Sequence, residues 1–232
     1  MRRWSICMLS LTGCAQVFGL DSPAATNVDA SISDSSTNDS DPGQNCWGDN
    51  FDDNMIDANR WVTFIEGMQQ VVETDQQLHI VLDNTSGSAY SGLDTKTTLA
   101  TDAGVEVEVV EPTRDNATET ALALFRGGAN QLVLTKDGAN LRAVVKTDGV
   151  NMFSEVAWDA VAHHYFRIER AMNDVTFSTS SDGMQWDVLW RTTAAFATQP
   201  LRAQIYAGHY MQVPATKVVF DNFKVLDPAC MP

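Results

Sequence analysis

Apolar and polar residues alternate along most of the chain after residue 60. In residues 105–109, for example, a valine at every second position is separated by Glu106 and Glu108. A period of two places successive side chains on opposite faces of a strand, and no window of ten or more residues has a 3.6-residue period. The pattern therefore predicts half-buried β-strands over residues 61–65, 69–74, 77–82, 89–99, 104–111, 119–126, 130–136, 140–147, 151–156, 164–171, 174–180, 186–191, 201–209 and 216–226.

Turn-forming dipeptides separate several of these strands. They are Asp137-Gly138, Asp148-Gly149, Asn173-Asp174 and Asp182-Gly183, pairs that favour the positive φ angles of β-hairpins. A chain of this length buries roughly 70% of its unfolded surface, and antiparallel strands do so most simply when two sheets pack face to face. We therefore predict an all-β fold, a two-sheet antiparallel sandwich over residues 46–232.

The first residues have a different pattern. Arg2 and Arg3 precede the apolar stretch 4–11, which is far shorter than the roughly 20 residues of a membrane-spanning helix. The stretch ends in Leu-Thr-Gly-Cys14, which resembles the lipobox of bacterial lipoproteins. This resemblance implies a signal peptide over residues 1–13, a lipidated Cys14 and, with Ala15 as the next residue, an outer-membrane location. The alternative is an ordinary secretory peptide that contains a cysteine by chance.

Residues 14–45 are predicted to be a disordered tether. From residue 21 onward this segment is rich in Ser, Asp and Asn and contains no basic or aromatic side chain. Such a composition cannot bury enough apolar surface to offset the entropy lost on ordering. The tether would separate the folded domain from the lipid anchor.

The chain is strongly acidic, with a formal net charge of −15. Of its 30 acidic side chains, nine lie in residues 4–59, which contain no Lys or Arg, so the remainder carries 21 acids and 13 bases. Nucleic-acid binding is disfavoured because phosphates require a basic surface. Contact with the membrane is expected through the lipid anchor alone.

Two cysteines stand at the ends of the predicted domain, Cys46 and Cys230. In an oxidising compartment an even pair is most simply a disulfide. Such a bond requires the first and last strands to be neighbours. The alternative is a pair of free thiols.

Several short motifs occur in an order that resembles the concanavalin A-like lectin and glucanase superfamily, and most closely its laminin-G-like modules. This resemblance covers about residues 47–227 and implies a jelly roll with one concave face. The motifs are Phe51-Asp52-Asp53, Arg60-Trp61, Leu78-His79-Ile80, Arg167-Ile168-Glu169-Arg170, Ser180 to Trp186 and Phe220 to Val225.

The segment Glu106 to Glu111 resembles the E-x-D-x-x-E strand of laminarinase-type glycoside hydrolases. In that motif the first glutamate is the nucleophile and the last is the acid/base, which implies Glu106 and Glu111 as candidate catalytic residues. The chain departs from the motif because Glu108 takes the place of the aspartate. A solvated strand face is the alternative interpretation of these glutamates.

Asp52 and Asp221 are candidate ligands of a structural calcium ion. In relatives of this superfamily, calcium often ties the first strand to an aspartate of the last one, and Ca²⁺ prefers six to eight oxygen ligands. The alternative is that Asp221 forms hydrogen bonds or ion pairs within its own strand.

A glycan-binding face needs aromatic rings and planar polar groups together on one sheet. Strand alternation directs a set of such side chains away from the core, and we expect them on one concave face: Arg142, Tyr165, Arg167, Glu169, Gln204 and Tyr206. The leading hypothesis is thus a monomeric, surface-tethered, non-catalytic module that binds a polysaccharide. The alternatives are a glycoside hydrolase with atypical carboxylates that acts on β-glucan, and a structural or protein-interaction role in the cell envelope.

Overall fold

A computed structural model describes residues 47–84 and 86–228. This range contains fifteen β-strands and one 3-10 turn, Ala195–Thr198. The strands are β1 Gly48–Asp49, β2 Trp61–Phe64, β3 Gln70–Thr74, β4 Gln77–Leu82, β5 Ala89–Thr95, β6 Gly104–Glu111, β7 Thr118–Arg126, β8 Asn130–Asp137, β9 Asn140–Thr147, β10 Val150–Ala157, β11 Tyr165–Ala171, β12 Asp174–Ser180, β13 Asp187–Thr193, β14 Arg202–His209 and β15 Thr216–Leu226.

The strands form two antiparallel sheets, which confirms the predicted fold class. Sheet A has the order β13-β12-β11-β6-β15-β4-β3, and the short β1 pairs with the end of β15 that extends beyond β4. Sheet B has the order β10-β9-β8-β7-β14-β5-β2. The two strands nearest the C-terminus, β14 and β15, therefore lie in the interior of the two sheets.

The hydrophobic core lies between the sheets and is made by alternate residues of the strands. Val105, Val107 and Val109 of β6 are almost completely buried, as are Leu122 and Leu124 of β7. Because side chains alternate across a strand, the intervening residues of β6 and β7 point to the outer faces of the sandwich. Burying this core is the main favourable contribution to folding.

The turns follow the sequence closely. At the β9–β10 hairpin both Asp148 and Gly149 have positive φ angles, 50° and 84°, as a two-residue hairpin of the primed type requires. The β11–β12 turn consists of Met172 and Asn173, one residue earlier than the predicted Asn173-Asp174. Its positive φ angle, 56°, is that of Met172.

The described residues contain no helix long and apolar enough to cross a membrane. Cys14, Cys46 and Cys230, the signal peptide and the tether lie outside the described residues, so the predicted lipidation, disulfide and disorder stay predictions. Within the described range Trp47 packs on Trp61 and Phe223, with ring centroids 5.3 Å away in each case. The start of the domain is thus packed against the last strand.

Candidate functional site

The six residues expected on one glycan-binding face lie on two opposite faces of the sandwich, which corrects that expectation. Arg142, Gln204 and Tyr206 point outward from sheet B, whereas Tyr165, Arg167 and Glu169 point outward from sheet A. Alternation within a strand shows which residues share a side of that strand. It does not show to which sheet the strand belongs.

On sheet A, Glu106 is held in an ion-paired network. Its carboxylate accepts hydrogen bonds from Arg167 at 2.5 Å and 3.1 Å and from Lys224 at 3.0 Å. The Glu106 side chain is only 5% exposed, and the Arg167 guanidinium also lies 3.6 Å from the centre of the Trp186 ring. Two cations therefore neutralise the first candidate catalytic glutamate.

Glu111 lies at the end of β6 and has different partners. Its carboxylate forms ion pairs with Arg114 at 3.3 Å and Lys217 at 3.6 Å. Glu111 pairs with Val219 of β15. A register shift separates this pair from the next one, Val109 with Phe220. Glu106 and Glu111 thus have separate cationic partners.

Glu108 lies between them and also has its oxygens occupied. It accepts hydrogen bonds from Asn222 at 2.7 Å and pairs with His164 at 2.8 Å. Burial raises the pKa of Glu108, but the hydrogen bonds from Asn222, His164 and Tyr165 outweigh it and leave the pKa below its usual value. Glu106, Glu108 and Glu111 therefore all have hydrogen-bond or ion-pair partners.

The predicted calcium ligands lie near this network. Burial, followed by the neighbouring carboxylates of Glu108, Asp52 and Asp49, raises the pKa of Asp221. No Lys or Arg in the described part of the chain pairs with Asp52 or Asp221, so the local excess of negative charge fits a cation. In the same range no group of three or more His, Cys, Asp or Glu side chains is arranged to hold a metal. Calcium binding here would therefore need backbone carbonyl oxygens as well, and it stays a prediction.

The outer face of sheet B has a different character. An apolar patch occupies its middle, formed by residues of six neighbouring strands: Ala121, Ala123, Val133, Tyr206, Phe64, Tyr90 and Val144. The small residues lie on β7 and the large ones flank them. Ala121, Ala123, Val133 and Tyr206 are 8% exposed or less, so the accessible part of the patch belongs to the partly buried Phe64, Tyr90 and Val144. Aromatic rings such as those of Phe64 and Tyr90 are groups on which sugar rings stack.

Tyr90 and Tyr206 form the aromatic part of this patch. Their rings meet edge to face with centroids 6.0 Å apart. Gly208 makes room for this arrangement, because a Cβ atom there would lie 2.2 Å from Cδ1 of Tyr90. Glycine is therefore required at 208 for the Tyr90 ring to lie across β14.

A pair of carboxylates borders the patch. Glu119 of β7 and Asp137 of β8 are directly opposite each other in the antiparallel register and point to the same outer face. Residues in such positions have Cβ atoms about 4.5–5.5 Å apart. Burial, together with the nearby Asp137 carboxylate, raises the pKa of Glu119 to about 7.

Asp137 has partners that Glu119 lacks. Arg142 of β9 forms an ion pair with Asp137 and a second one with Glu155 at 2.7 Å. The Tyr210 hydroxyl lies 3.3 Å from the other Asp137 oxygen and donates to the carbonyl of Asn116 at 2.6 Å. The two carboxylates therefore differ in chemistry: Asp137 is the anionic partner of an arginine, whereas Glu119 holds its proton up to neutral pH.

The sequence analysis did not identify Glu119, Asp137 or Tyr90 as site residues. Asp137 had been interpreted as part of a turn, although it is the last residue of β8. The pairing of Glu119 with Asp137 could have been predicted from the short turn over residues 127–129. This three-residue turn pairs Arg126 with Asn130, and the antiparallel register then places Glu119 opposite Asp137.

The sequence matches no family model and no curated protein, but many solved structures share the fold. One comes from work on endo-acting O-glycanases that prominent human gut bacteria express to initiate mucin breakdown; it has a TM-score of 0.64 and 12% identity and covers 78% of this chain and 98% of its own. The laminarinase from Rhodothermus marinus has a TM-score of 0.60 and 14% identity, with coverages of 78% and 95%. A non-specific endo-β-1,3(4)-glucanase of family GH16 has a TM-score of 0.58 and 11% identity, with coverages of 78% and 89%.

At such low identity the likeness concerns the fold and not the reaction. The chain has the concanavalin A-like jelly-roll fold that these glycoside hydrolases have.

Proposed function

We propose that the protein is a glycoside hydrolase that acts on a polysaccharide bound across the outer face of sheet B. The observation that carries the proposal is the Glu119–Asp137 pair, which borders the patch of Tyr90 and Tyr206. The names of the structural neighbours, a laminarinase and an endo-β-1,3(4)-glucanase, favour β-glucan as the first substrate to test. This places the hydrolase alternative ahead of the non-catalytic module expected from sequence.

The environments of the two carboxylates suit two different roles. Glu119, with its pKa raised to about 7, is the general acid that protonates the glycosidic oxygen. Asp137, paired with Arg142, is the carboxylate that attacks the anomeric carbon as the bond to the leaving sugar breaks. Opposite positions on neighbouring strands fit the separation of about 5 Å between carboxyl groups in retaining enzymes.

Water completes the reaction. Glu119, now deprotonated, accepts a proton from a water molecule whose oxygen bonds to the anomeric carbon and releases Asp137. One water is consumed, both carboxyl groups return to their starting states, and the anomeric configuration is retained. Gln204, on the same outer face, donates its side-chain amide to Asp94 at 2.8 Å and holds that carboxylate in place.

The experiment is hydrolysis of laminarin and mixed-linkage β-glucan, followed by chromatography of the released oligosaccharides. Glu119→Gln and Asp137→Asn should each abolish product formation, whereas Glu111→Gln should retain it, because that glutamate lies on sheet A in ion pairs of its own. Full activity in both Glu119→Gln and Asp137→Asn, or no hydrolysis by the wild-type protein at any pH from 4 to 8, would contradict the proposal.

A non-catalytic glycan-binding module is the second candidate. The aromatic pair Tyr90–Tyr206 favours it, because stacking of a sugar needs no acid or base. If the protein is such a module, the wild type should bind β-glucan oligosaccharides saturably without hydrolysing them. Tyr90→Ala, which removes the partly exposed ring of the pair, should abolish this binding.

We also propose that the domain works at the outer membrane, attached through the lipid on Cys14 and the tether 14–45. The basic and apolar N-terminal residues and the lipobox-like Leu-Thr-Gly-Cys14 support this. Cys14→Ser should release the protein from the membrane fraction, and retention there after the substitution would contradict it.

A further inference from the structure

In the described part of the chain, the two sheets have four edge strands besides the two-residue β1. They are β13 and β3 in sheet A, and β10 and β2 in sheet B. An edge strand presents unpaired backbone N–H and C=O groups, and proteins protect such edges from pairing with another chain.

Three of the four edges carry a protective feature. Strand β2 has only four residues. Strand β3 contains the buried Glu73, which lies opposite the core residue Leu78 and points inward. On β13, a register shift leaves Leu189 without an opposite residue on β12. Short strands, inward-pointing charged residues and bulges all hinder pairing with another chain.

Strand β10 has none of these features. It has eight residues and pairs with β9 in one regular register along its whole length. It contains no Lys, Arg or Pro, and its one charged residue, Glu155, is ion-paired with Arg142 at 2.7 Å. Four of its apolar side chains are exposed: Val150 to 68%, Met152 to 51%, Phe153 to 57% and Val156 to 40%. A long, regular and apolar edge of this kind is a site for pairing with another strand.

The backbone groups at the open edge of β10 belong to its odd-numbered residues. Trp158, which directly follows β10, donates its N–H to the carbonyl oxygen of Ala139 at 2.9 Å. Consecutive residues of an antiparallel pair alternate between hydrogen-bonded and non-hydrogen-bonded positions, so the even-numbered residues of β10 bond to β9. Asn151, Phe153 and Glu155 therefore direct their N–H and C=O groups to the open edge.

The sequence of β10 is complementary to itself in one antiparallel register. With a two-fold axis at Phe153, this residue lies opposite its own copy, and the two can exchange both backbone hydrogen bonds. Asn151 of one copy then lies opposite Glu155 of the other, where an amide N–H can donate to the carboxylate. Aromatic pairs and amide–carboxylate pairs stabilise neighbouring strands, and no like charges face each other.

The other side of β10 also fits this register. Val150 of one copy lies opposite Val156 of the second, and Met152 lies opposite Ser154. The exposed aliphatic side chains near both ends of the strand are thus covered, and no charged group is buried.

We propose that β10 pairs with β10 of a second copy of this chain and joins the two copies of sheet B into one continuous sheet. Because both copies use the same strand, the assembly closes at two, which replaces the monomer expected from the sequence. Opposite residues point to the same side of the sheet, so both outer faces stay open and the dimer does not depend on the proposed hydrolysis. One strand per copy makes a small interface, so we expect a weak dimer with a Kd of roughly 1–100 μM.

Sedimentation equilibrium tests the dimer on the full chain, kept free of lipid by Cys14→Ser. Over protein concentrations from about 1 μM to 1 mM, the mean mass should rise from 25.4 kDa toward twice that value and stop there. A mass of one chain at every concentration would overturn the proposal and leave this edge to a different partner. Growth beyond two copies would also overturn it, because a two-fold pair has no further open β10.

Substitutions at the two-fold axis test the register. Phe153→Lys and Phe153→Glu each place two like charges opposite each other, so each variant alone should have a Kd raised about tenfold or more. An equal mixture of the two should dimerise again, because lysine then faces glutamate. Thermal melting checks that both variants are folded, as expected for an exposed side chain.

Val62→Lys is the matched control, since Val62 is an exposed valine on β2, the opposite edge strand of the same sheet. It should dimerise like the wild type. An equal loss in Val62→Lys would show an effect of net charge and overturn the proposal. Wild-type affinity in either Phe153 variant alone, or a mixture that stays monomeric, would overturn the pairing about Phe153.

Discussion

Arg170 donates a hydrogen bond of 3.0 Å to the carbonyl oxygen of Ala197, and so joins β11 of sheet A to the 3-10 turn before β14. The same guanidinium donates to the carbonyls of Ala100, Ala103 and Gln199 at 2.6–3.0 Å. Arg170 is 4% exposed, and burial lowers its pKa to about 10. One side chain thus satisfies four backbone carbonyls at one end of the sandwich.

We expect Arg170→Met to destabilise the domain by roughly 3 kcal/mol or more, because buried carbonyl groups would lose their donors. Arg170→Lys should have an intermediate effect, since it restores the charge but not the planar set of donors. Urea unfolding measures both. The exposed Arg191→Met serves as control and should change stability by less than about 0.5 kcal/mol; a similar small change for Arg170→Met would contradict the expectation.

The raised pKa of Glu119 makes stability depend on pH. The folded state holds the proton up to about pH 7, whereas the unfolded chain releases it near its ordinary value of about 4.3. The contribution of this proton to the free energy of unfolding is therefore complete below about pH 4 and is lost as the pH rises through 7. Glu119→Gln should melt at a higher temperature than the wild type above pH 7, by the equivalent of about 1–3 kcal/mol, and the difference should shrink toward pH 4. A difference that is constant from pH 4 to 8 would show that Glu119 is not the group responsible.

The same proton sets the pH limit of the proposed hydrolysis. A general acid must be protonated, so kcat/KM should fall about tenfold for each pH unit above 7. Rate measurements on laminarin at substrate concentrations well below KM give this decrease in kcat/KM directly. Activity that rises steadily to pH 9 would exclude Glu119 as the acid.

Gly208→Ala tests how the Tyr90 ring is placed. The new Cβ would lie 2.2 Å from Tyr90 Cδ1 and 2.6 Å from the carbonyl oxygen of Ala89, so both the ring and the backbone must shift. We expect a loss of about 1–3 kcal/mol in stability and weaker glycan binding. In the double variant with Tyr90→Ala, the part of the stability loss due to the ring should be recovered; no recovery would assign the whole effect to the backbone.

Calcium should raise the melting temperature if Asp52 and Asp221 help to hold it. The comparison is thermal melting in EDTA and in millimolar calcium, for the wild type and for Asp221→Asn. The substitution should remove the calcium-dependent shift, whereas Asp187→Asn on the exposed edge strand β13 should keep it. A wild-type protein that melts at one temperature in both buffers would count against the site.

Much of the fold was predictable because it follows from local patterns. The alternation of Val105, Val107 and Val109 with glutamates located β6 at its observed bounds, and Asp148-Gly149 located a hairpin. The two-residue β1 was missed, since Gly48–Asp49 is too short to have a period and forms only by pairing with β15. The functional face was harder to predict, because Tyr165 and Tyr206 follow the same alternation but belong to different sheets.

The position of β14 and β15 has a consequence for when the molecule can fold. Each joins partners that come much earlier in the chain, β5 and β7 for β14, and β4 and β6 for β15. Sheet B cannot close before β14 has been made, and sheet A cannot close before β15 has been made. Such long-range pairing is slow. Removal of β14 and β15 would leave both sheets without an interior strand that joins their two parts.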